Sequence, residues 1–387
     1  MAVHDYDDFE HTGPGTLAGR YMRSFWQPVF RAEDLTAGKA IPVRIMSEDF
    51  TLYRGETGDS HVVAFRCAHR GTQLNVGWVE GDCIRCRYHG WMYDGTGQCV
   101  EQPGEDPAFA SKVRIRTYPT EEYLGLIFAY LGDGEAPPLR RFPNHDRPGI
   151  LEIAAPEIMP ANYFNRLEND PSHVPWTHHE SLVRGGSRQA GAAPTSVSAH
   201  ETDFGFVVDV VHPTGRLQRN YYYLPNADQH NSGSSESVSD EVPRERLSWT
   251  VPIDDETRVS FRVDLVPLEG DAAAAYEQRV RQAHPAEGTA AWRDEIARQV
   301  VAGTRSIEDV EQGINQYNLF RIEDYATQVG QGRIADRSND HLGRIDAGTA
   351  LRRQIWRREL QALAEGRPLT SWRMPDRAAT PEQVAVP

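Results

Sequence analysis

The sequence predicts an α+β chain in two parts: an all-β N-terminal part, and a C-terminal part in which an antiparallel sheet gives way to helices. Three observations carry that prediction. Residues 25 to 132 are built from short β-branched and aromatic runs separated by Gly, Asp and Asn. Residues 200 to 268 have the same character. From residue 271 onward Ala, Glu, Arg, Gln and Leu take over at helical spacing.

The N-terminal strands are read from FWQPVF, IPVRI, FTLYR, HVVAF and YLGLIFAYL. Upstream, GPGTLAG follows no strand, so it reads as a turn before a helix rather than a nucleotide loop. The stretch Gly132 to Pro148 carries Pro137, Pro138, Pro143 and Pro148, and a boundary is expected there. Later strands are read from FGFVVDVVH, RNYYYLP, ERLSWTV and RVSFRVDLVP, and helices from 271–302, 306–329 and 342–365. Leu182 to Ser198 is rich in Gly, Ser and Ala and reads as a loop. The expected organisation is an extension over 1–23, an all-β domain over 24–150, a second domain over 151–366 and a tail over 367–387.

Of the 387 residues, 39% are apolar, enough for a sizeable core. Acidic residues outnumber basic ones by 56 to 41, for a formal charge of -15. That balance argues against nucleic acid, which wants clustered Lys and Arg, and suits docking of a basic partner. The longest apolar run, Tyr123 to Leu131, is far short of a membrane span, and MAVHDYDDFEH lacks the basic start of a signal peptide. No glycosylation sequon occurs, and a cytoplasmic location is expected.

The four cysteines, Cys67, Cys83, Cys86 and Cys99, are too few for a disulfide framework, and they cluster. In FRCAHRGTQL and CIRCRYHGWMYDGTG, Cys67-x-His69 and Cys86-x-x-His89 are separated by 16 residues. Two thiolates and two imidazoles suit a [2Fe–2S] cluster with both cysteines on one iron and both histidines on the other. Thiolates favour the ferric state. Neutral imidazoles leave less negative charge on the second iron and raise the potential, to roughly -150 to +300 mV in such centres. Gly71 and Gly90 would let the backbone turn tightly around the cluster. The competing reading is a zinc site made by Cys67, Cys83, Cys86 and His89. Otherwise Cys83 and Cys99 read as buried thiols.

A second constellation lies in NYFNRLENDPSHVPWTHHE: Asp170, His173 and His178. Non-haem iron takes two histidines and one carboxylate on one face, leaving positions open for O2 and substrate. His179 rivals His178, and His178-x-Glu180 is similar to the element of cupin-type iron oxygenases, which would predict a jelly roll and no cluster. The carboxylate should come from downstream, where Glu308, Asp309, Glu311, Glu323 and Asp324 all stand on one helical segment. Asp170 also reads as a helix N-cap, with Pro171 at the first helical position.

The two motifs together, with Gly90-Trp91 after the second pair, closely resemble the Rieske non-haem iron oxygenases. Respiratory Rieske proteins carry an extra cysteine in each cluster loop, and this chain has none at Arg70 to Thr72 or Tyr88. RIEDYATQVGQGRIADRS is similar to the phthalate dioxygenase-like group. GPGTLAGRYMRSFWQPV, VEGDCIRCRYHGW and QCVEQPGE look like its subgroup of 5,5'-dehydrodivanillate O-demethylases. The resemblance spans nearly the whole chain. It implies a Rieske [2Fe–2S] domain over 24–150, with the cluster on Cys67, His69, Cys86 and His89. It implies a helix-grip catalytic domain with mononuclear Fe(II) on His173, His178 and Asp324, and with Gln328 behind the carboxylate. It gives Asp170 the role of carrying electrons from His89 of one subunit to His173 of the next. That role implies a ring of subunits, a homotrimer. No dinucleotide fingerprint occurs, so electrons from NAD(P)H are expected from a separate reductase, with or without a ferredoxin. The implied activity is O2-dependent O-demethylation of a methoxylated aromatic acid. The alternatives are ring hydroxylation of an aromatic carboxylate and, more distantly, a Rieske-type electron carrier.

Overall fold

The computed structural model describes residues 5–169, 173, 179, 194–232, 244–283, 289–311, 314 and 316–374. The chain divides into two compact units. One comprises His11–Arg140 with Val251–Asp255, and the other comprises Met1–Glu10, Arg141–Thr250 and Glu256–Pro387.

The first unit is all-β apart from short helices. Its first helix, α1 (Leu17–Arg23), follows the glycine-rich turn as expected, and the Thr16 hydroxyl caps it by accepting from the Gly19 amide at 3.0 Å. The strands are β1 (Trp26–Arg31), β2 (Ala40–Ile45), β3 (Glu48–Arg54), β4 (Ser60–Ala64), β5 (Trp78–Glu80), β6 (Cys83–Arg85), β7 (Met92–Tyr93), β8 (Cys99–Glu101), β9 (Thr117–Tyr118), β10 (Thr120–Tyr123) and β11 (Leu126–Tyr130). They form three antiparallel sheets in the orders β1-β11-β10, β2-β3-β4-β9 and β5-β6-β7-β8. β11 is buried at every position, which is why it reads as a continuous apolar run rather than an alternating one.

The second unit is built on one antiparallel sheet. Its strands are β12 (Ile150–Ile153), β13 (Glu157–Met159), β14 (Ser196–Thr202), β15 (Gly205–Val211), β16 (Leu217–Tyr223), β17 (Ala227–Ser232), β18 (Arg244–Asp254) and β19 (Thr257–Val266). The order is β12-β19-β18-β17-β16-β15-β14, with β13 also paired to β19. Strand alternation sorts its side chains into two faces. On one, Tyr223 and Trp249 pack edge-on against Phe142 at 5.1 and 5.4 Å. On the other, the register places Asn220 across from Val208, Asp228 across from Tyr222, and His230 across from Arg246. Arg246 in turn grips Asp264 with two hydrogen bonds, at 2.9 and 3.1 Å. Both faces mix apolar and polar groups: the first also carries the Arg219–Asp209 ion pair and Gln229, and the second also stacks Phe206 on Tyr222.

The helices expected downstream are present but more divided than the composition suggests. The 271–302 segment contains Gly270–Ala283 and Thr289–Val301, and the 306–329 segment contains Ile307–Glu311 and Gln316–Gly330. The last helix runs Ala347–Ala364. The sequence between the members of each pair carries residue types that end helices, Pro285 and Gly288 in the first and Gly313 in the second. Together with α2 (Pro107–Ala110) and α3 (Tyr163–Glu168), these five are α4 to α8 in chain order. α7 packs on α5 through a core of Ile296, Ala297, Leu319, Ile322 and Tyr325. Trp356 of α8 is wholly buried beside Phe164 of α3 and Phe9. Among the described residues no helix is long and apolar enough to cross a membrane.

Candidate functional site

Cys67 follows β4, and Cys86 follows β6, so each Cys-His pair sits on a tight loop leaving a strand. The two loops are built alike. The Cys67 carbonyl accepts from the Gly71 amide at 3.0 Å, and the Cys86 carbonyl accepts from the Gly90 amide at 3.1 Å. Both glycines take the left-handed conformation, with φ of 75° and 74°. A side chain at Gly90 would also stand 3.0 Å from the Pro103 ring. The glycine four residues after each cysteine is thus what lets the chain fold back on itself.

The loops bury their sulfurs and expose their rings. Cys67 and Cys86 belong to a core with Leu74, Val79, Ile84, Trp91 and Tyr93, whereas His69 and His89 are exposed. The two imidazoles lie 4.6 Å apart, centre to centre. His69 stacks flat on Trp91 at 4.4 Å, and His89 lies 3.8 Å from Tyr88. The Tyr93 hydroxyl sits 3.2 Å from Cys67 Sγ and accepts from the Ala68 amide at 3.2 Å. Burial pushes the Cys67 thiol up, against the Tyr93 hydroxyl and the His69 amide. A bare thiol here stays protonated, so a metal would displace the proton. Loss of solvent, then the His69 ring and Arg70, lower His89 and favour the neutral imidazole that a metal takes.

Buried thiols and exposed neutral imidazoles in two matching turns fit a [2Fe–2S] cluster with unlike ends. They do not fit the zinc alternative: among the described residues Cys67, Cys83, Cys86 and His89 do not gather their ligand atoms within 4.8 Å. Cys83 is only half-buried, which corrects the expectation of a buried thiol, while Cys99 is buried as expected. Tyr93 was not legible beforehand, since an isolated tyrosine in a short strand reads as core.

In the second unit Asp324 stands on α7 and is half-buried. Its Oδ1 accepts from Asn169 Nδ2, just past the end of α3, at 3.0 Å. Burial raises this carboxyl, but Arg166, then Arg321, the Gln328 amide and Arg258 outweigh burial and hold it below the usual range. It is a half-buried carboxylate kept anionic by surrounding cations. His179 Nδ1 is buried with no hydrogen-bond partner among the described residues, and its ring lies 5.7 Å from Phe320, one turn before Asp324 on α7. His173 is half-buried, with Nε2 3.8 Å from Asp346 Oδ1. Asp170, His178 and Glu180 lie outside the described residues. The ligand atoms of His173, His179 and Asp324 are not all within 4.8 Å of one another. The donors are nonetheless of the right kind for iron: a half-buried anionic carboxylate, and a buried imidazole nitrogen without a partner among the described residues. Glu323, the other acid of the pair, is buried.

Residues 25–119 match the Rieske [2Fe-2S] domain family. The chain is 29% identical over 383 residues to the 5,5'-dehydrodivanillate O-demethylase oxygenase subunit of Sphingobium sp. (strain NBRC 103272 / SYK-6), covering 95% of this chain and 82% of that protein. It is 28% identical over 381 residues to the phthalate 4,5-dioxygenase oxygenase subunit of Pseudomonas putida, covering 90% and 83%. Among solved structures, the carbazole-bound oxygenase in the ferredoxin complex of carbazole 1,9a-dioxygenase superposes with a TM-score of 0.61 at 22% identity, covering 93% and 95%. That likeness speaks for the fold alone.

Proposed function

Because the chain belongs to the Rieske non-haem iron oxygenases and is their α-type terminal oxygenase, we propose that it catalyses oxidative O-demethylation of a methoxylated aromatic acid. The enzyme is an oxidoreductase that works with a [2Fe–2S] cluster, a mononuclear iron and an electron-delivering partner. The observation that carries the demethylase reading is the similarity to the O-demethylase oxygenase subunit along 95% of this chain.

In this reading Cys67, His69, Cys86 and His89 hold the cluster. Their placement supports it: sulfurs in the core, rings at the surface where an electron can leave. His173, His178 and Asp324 hold the mononuclear iron, with Asp324 kept ionised by the arginines around it. When bound, the two centres supply one-electron storage and O2 activation. The protein's own residues position the substrate methyl group and exclude competing reactions. One oxygen atom enters the C–H bond of the methyl group, and two electrons and two protons reduce the other to water. The resulting hemiacetal releases formaldehyde and leaves a phenol.

Asp170 is assigned the path from His89 of one subunit to His173 of the next, in a homotrimer. A separate NAD(P)H-dependent reductase, with or without a ferredoxin, supplies the electrons, and the reaction is placed in the cytoplasm. The test is product analysis of the purified enzyme with reductase and a methoxylated aromatic acid. Formaldehyde and phenol in equal amounts support the reading, and a cis-diol with no formaldehyde sinks it. That second outcome is the ring-oxidation reading, which the similarity to phthalate 4,5-dioxygenase favours. A cluster-only electron carrier is set aside, because the relatives matched along the chain are named as oxygenase subunits.

A further inference from the structure

Arg258 of β19 is wholly buried, and among the described residues no carboxylate lies within ion-pair distance of it. A buried cation with no carboxylate in direct contact is costly, since more distant charges such as Glu157 and Asp324 recover only part of its lost hydration. What it has instead is a set of neutral acceptors. Nη1 donates to Ser260 Oγ at 2.6 Å, and Nη2 donates to Gln328 Oε1 at 2.8 Å and meets Met159 Sδ at 3.1 Å. Its Nε has no partner. Burial pulls the guanidinium down to about 10, with Glu157 opposing, so it is still charged at neutral pH.

The consequence falls on Gln328, which is buried and stands on α7 one turn beyond Asp324. An amide side chain can present either its oxygen or its nitrogen in a given direction. A guanidinium has only donors, so it must meet the oxygen. Committing Oε1 to Arg258 leaves the NH2 group for the other side. That Nε2 is buried without a hydrogen-bond partner among the described residues, and the i to i+4 spacing sets Gln328 beside Asp324 on one face of α7. Without Arg258 the amide is free to flip and set its oxygen against the Asp324 carboxylate, which repels it.

We propose that Arg258 is a positioning residue for the mononuclear iron, acting through Gln328: it locks the amide so that its NH2 faces Asp324 and keeps that carboxylate in one orientation for the metal. This rests on the reading of Asp324 as an iron ligand. Groups standing behind a ligand typically contribute 10- to 100-fold in metal affinity.

The experiment is ferrous titration of the full-length protein, stripped of mononuclear iron but retaining its cluster, with cluster absorption and thermal midpoint followed alongside. Arg258→Met is expected to weaken iron binding about 10- to 100-fold with the cluster spectrum unchanged. Arg258→Lys, which can still donate to Oε1, should recover part of that loss. The double variant R258M/Q328L replaces both partners with apolar groups, so it should fold even where the single variant does not. It should bind iron no more weakly than R258M alone, because both residues act through one contact. Iron affinity within twofold of the parent protein in R258M or the double variant overturns the proposal, as does a double variant whose loss is the product of two separate losses. Asp324→Ala serves as the control. If it binds iron like the parent protein, the ligand assignment has failed, whereas loss there with normal binding in R258M refutes only the role of Arg258.

Discussion

The two candidate metal centres of this chain are assembled in opposite ways. The four cluster donors come from two short loops that repeat one design: a cysteine at the end of a strand, a histidine two or three residues on, and a left-handed glycine four residues after the cysteine. The carboxylate of the second centre is brought in from α7 and meets Asn169, 155 residues away in sequence. A locally encoded site is held by backbone hydrogen bonds and leaves a spacing motif. A site gathered across a domain is held by charges from Arg166, Arg321 and Arg258, on three separate elements, and leaves almost none. The difference predicts which substitutions act by removing a donor and which act at a distance.

The largest effect should come from the cluster donors. Cys67→Ser or Cys86→Ser should remove the brown chromophore and reduce turnover to background, while iron bound at the second centre stays. Retained chromophore in both variants would show that the matched loops are not the cluster site. Next, Asp324→Ala should strip the mononuclear iron and abolish product formation with the cluster spectrum intact, and metal analysis alongside visible absorption checks it. Loss of both centres together would show that the two sites are not independent.

Asp170→Asn probes the connection between the centres. Both metals should remain at parental content while turnover falls roughly 100-fold, the scale seen when groups behind a metal are altered. Reduction of the cluster followed by slow reoxidation in the presence of substrate and O2 would locate the defect, and normal turnover would remove Asp170 from the path.

Smaller still is Tyr93→Phe. A hydrogen bond to a cluster sulfur stabilises the more negative, reduced state. One such bond is worth about 0.5–1.5 kcal/mol, which is roughly 20–60 mV for a one-electron couple. The cluster potential should drop by that amount in redox titration, with cluster content unchanged. An unchanged potential would mean that the 3.2 Å contact to Cys67 does not survive with the cluster in place. Finally, Gly90→Ala puts a side chain at φ 74° and against Pro103. It should cost about 1–2 kcal/mol of stability, read in thermal unfolding, and the same change at Gly71 should cost less because no contact there is tight.

Much of this contrast also decides what could be read in advance. The β-rich first part and the sheet-then-helix second part follow from composition and periodicity, because strand and helix leave repeats of about two and 3.6 residues. Cys67, His69, Cys86 and His89 were legible as candidate donors because residues a few positions apart on one turn must share a neighbourhood. Among the five acids from Glu308 to Asp324, nothing local distinguishes a ligand from a solvated face. Family resemblance pointed to Asp324, and only the fold surrounds it with arginines. Arg258 left no signal at all, since an arginine in an alternating strand normally reads as the exposed position.

The amino-acid order alone fixed the class of the chain, the pair of cluster loops and the need for a histidine-rich second centre, since each depends on residues near one another along the backbone. The tertiary structure decided which thiols are buried and which rings are exposed, which carboxylate is ringed by arginines, and which buried guanidinium meets Gln328. Burial and electrostatic field depend on what packs around a group from every side, and that information exists only once the chain has folded.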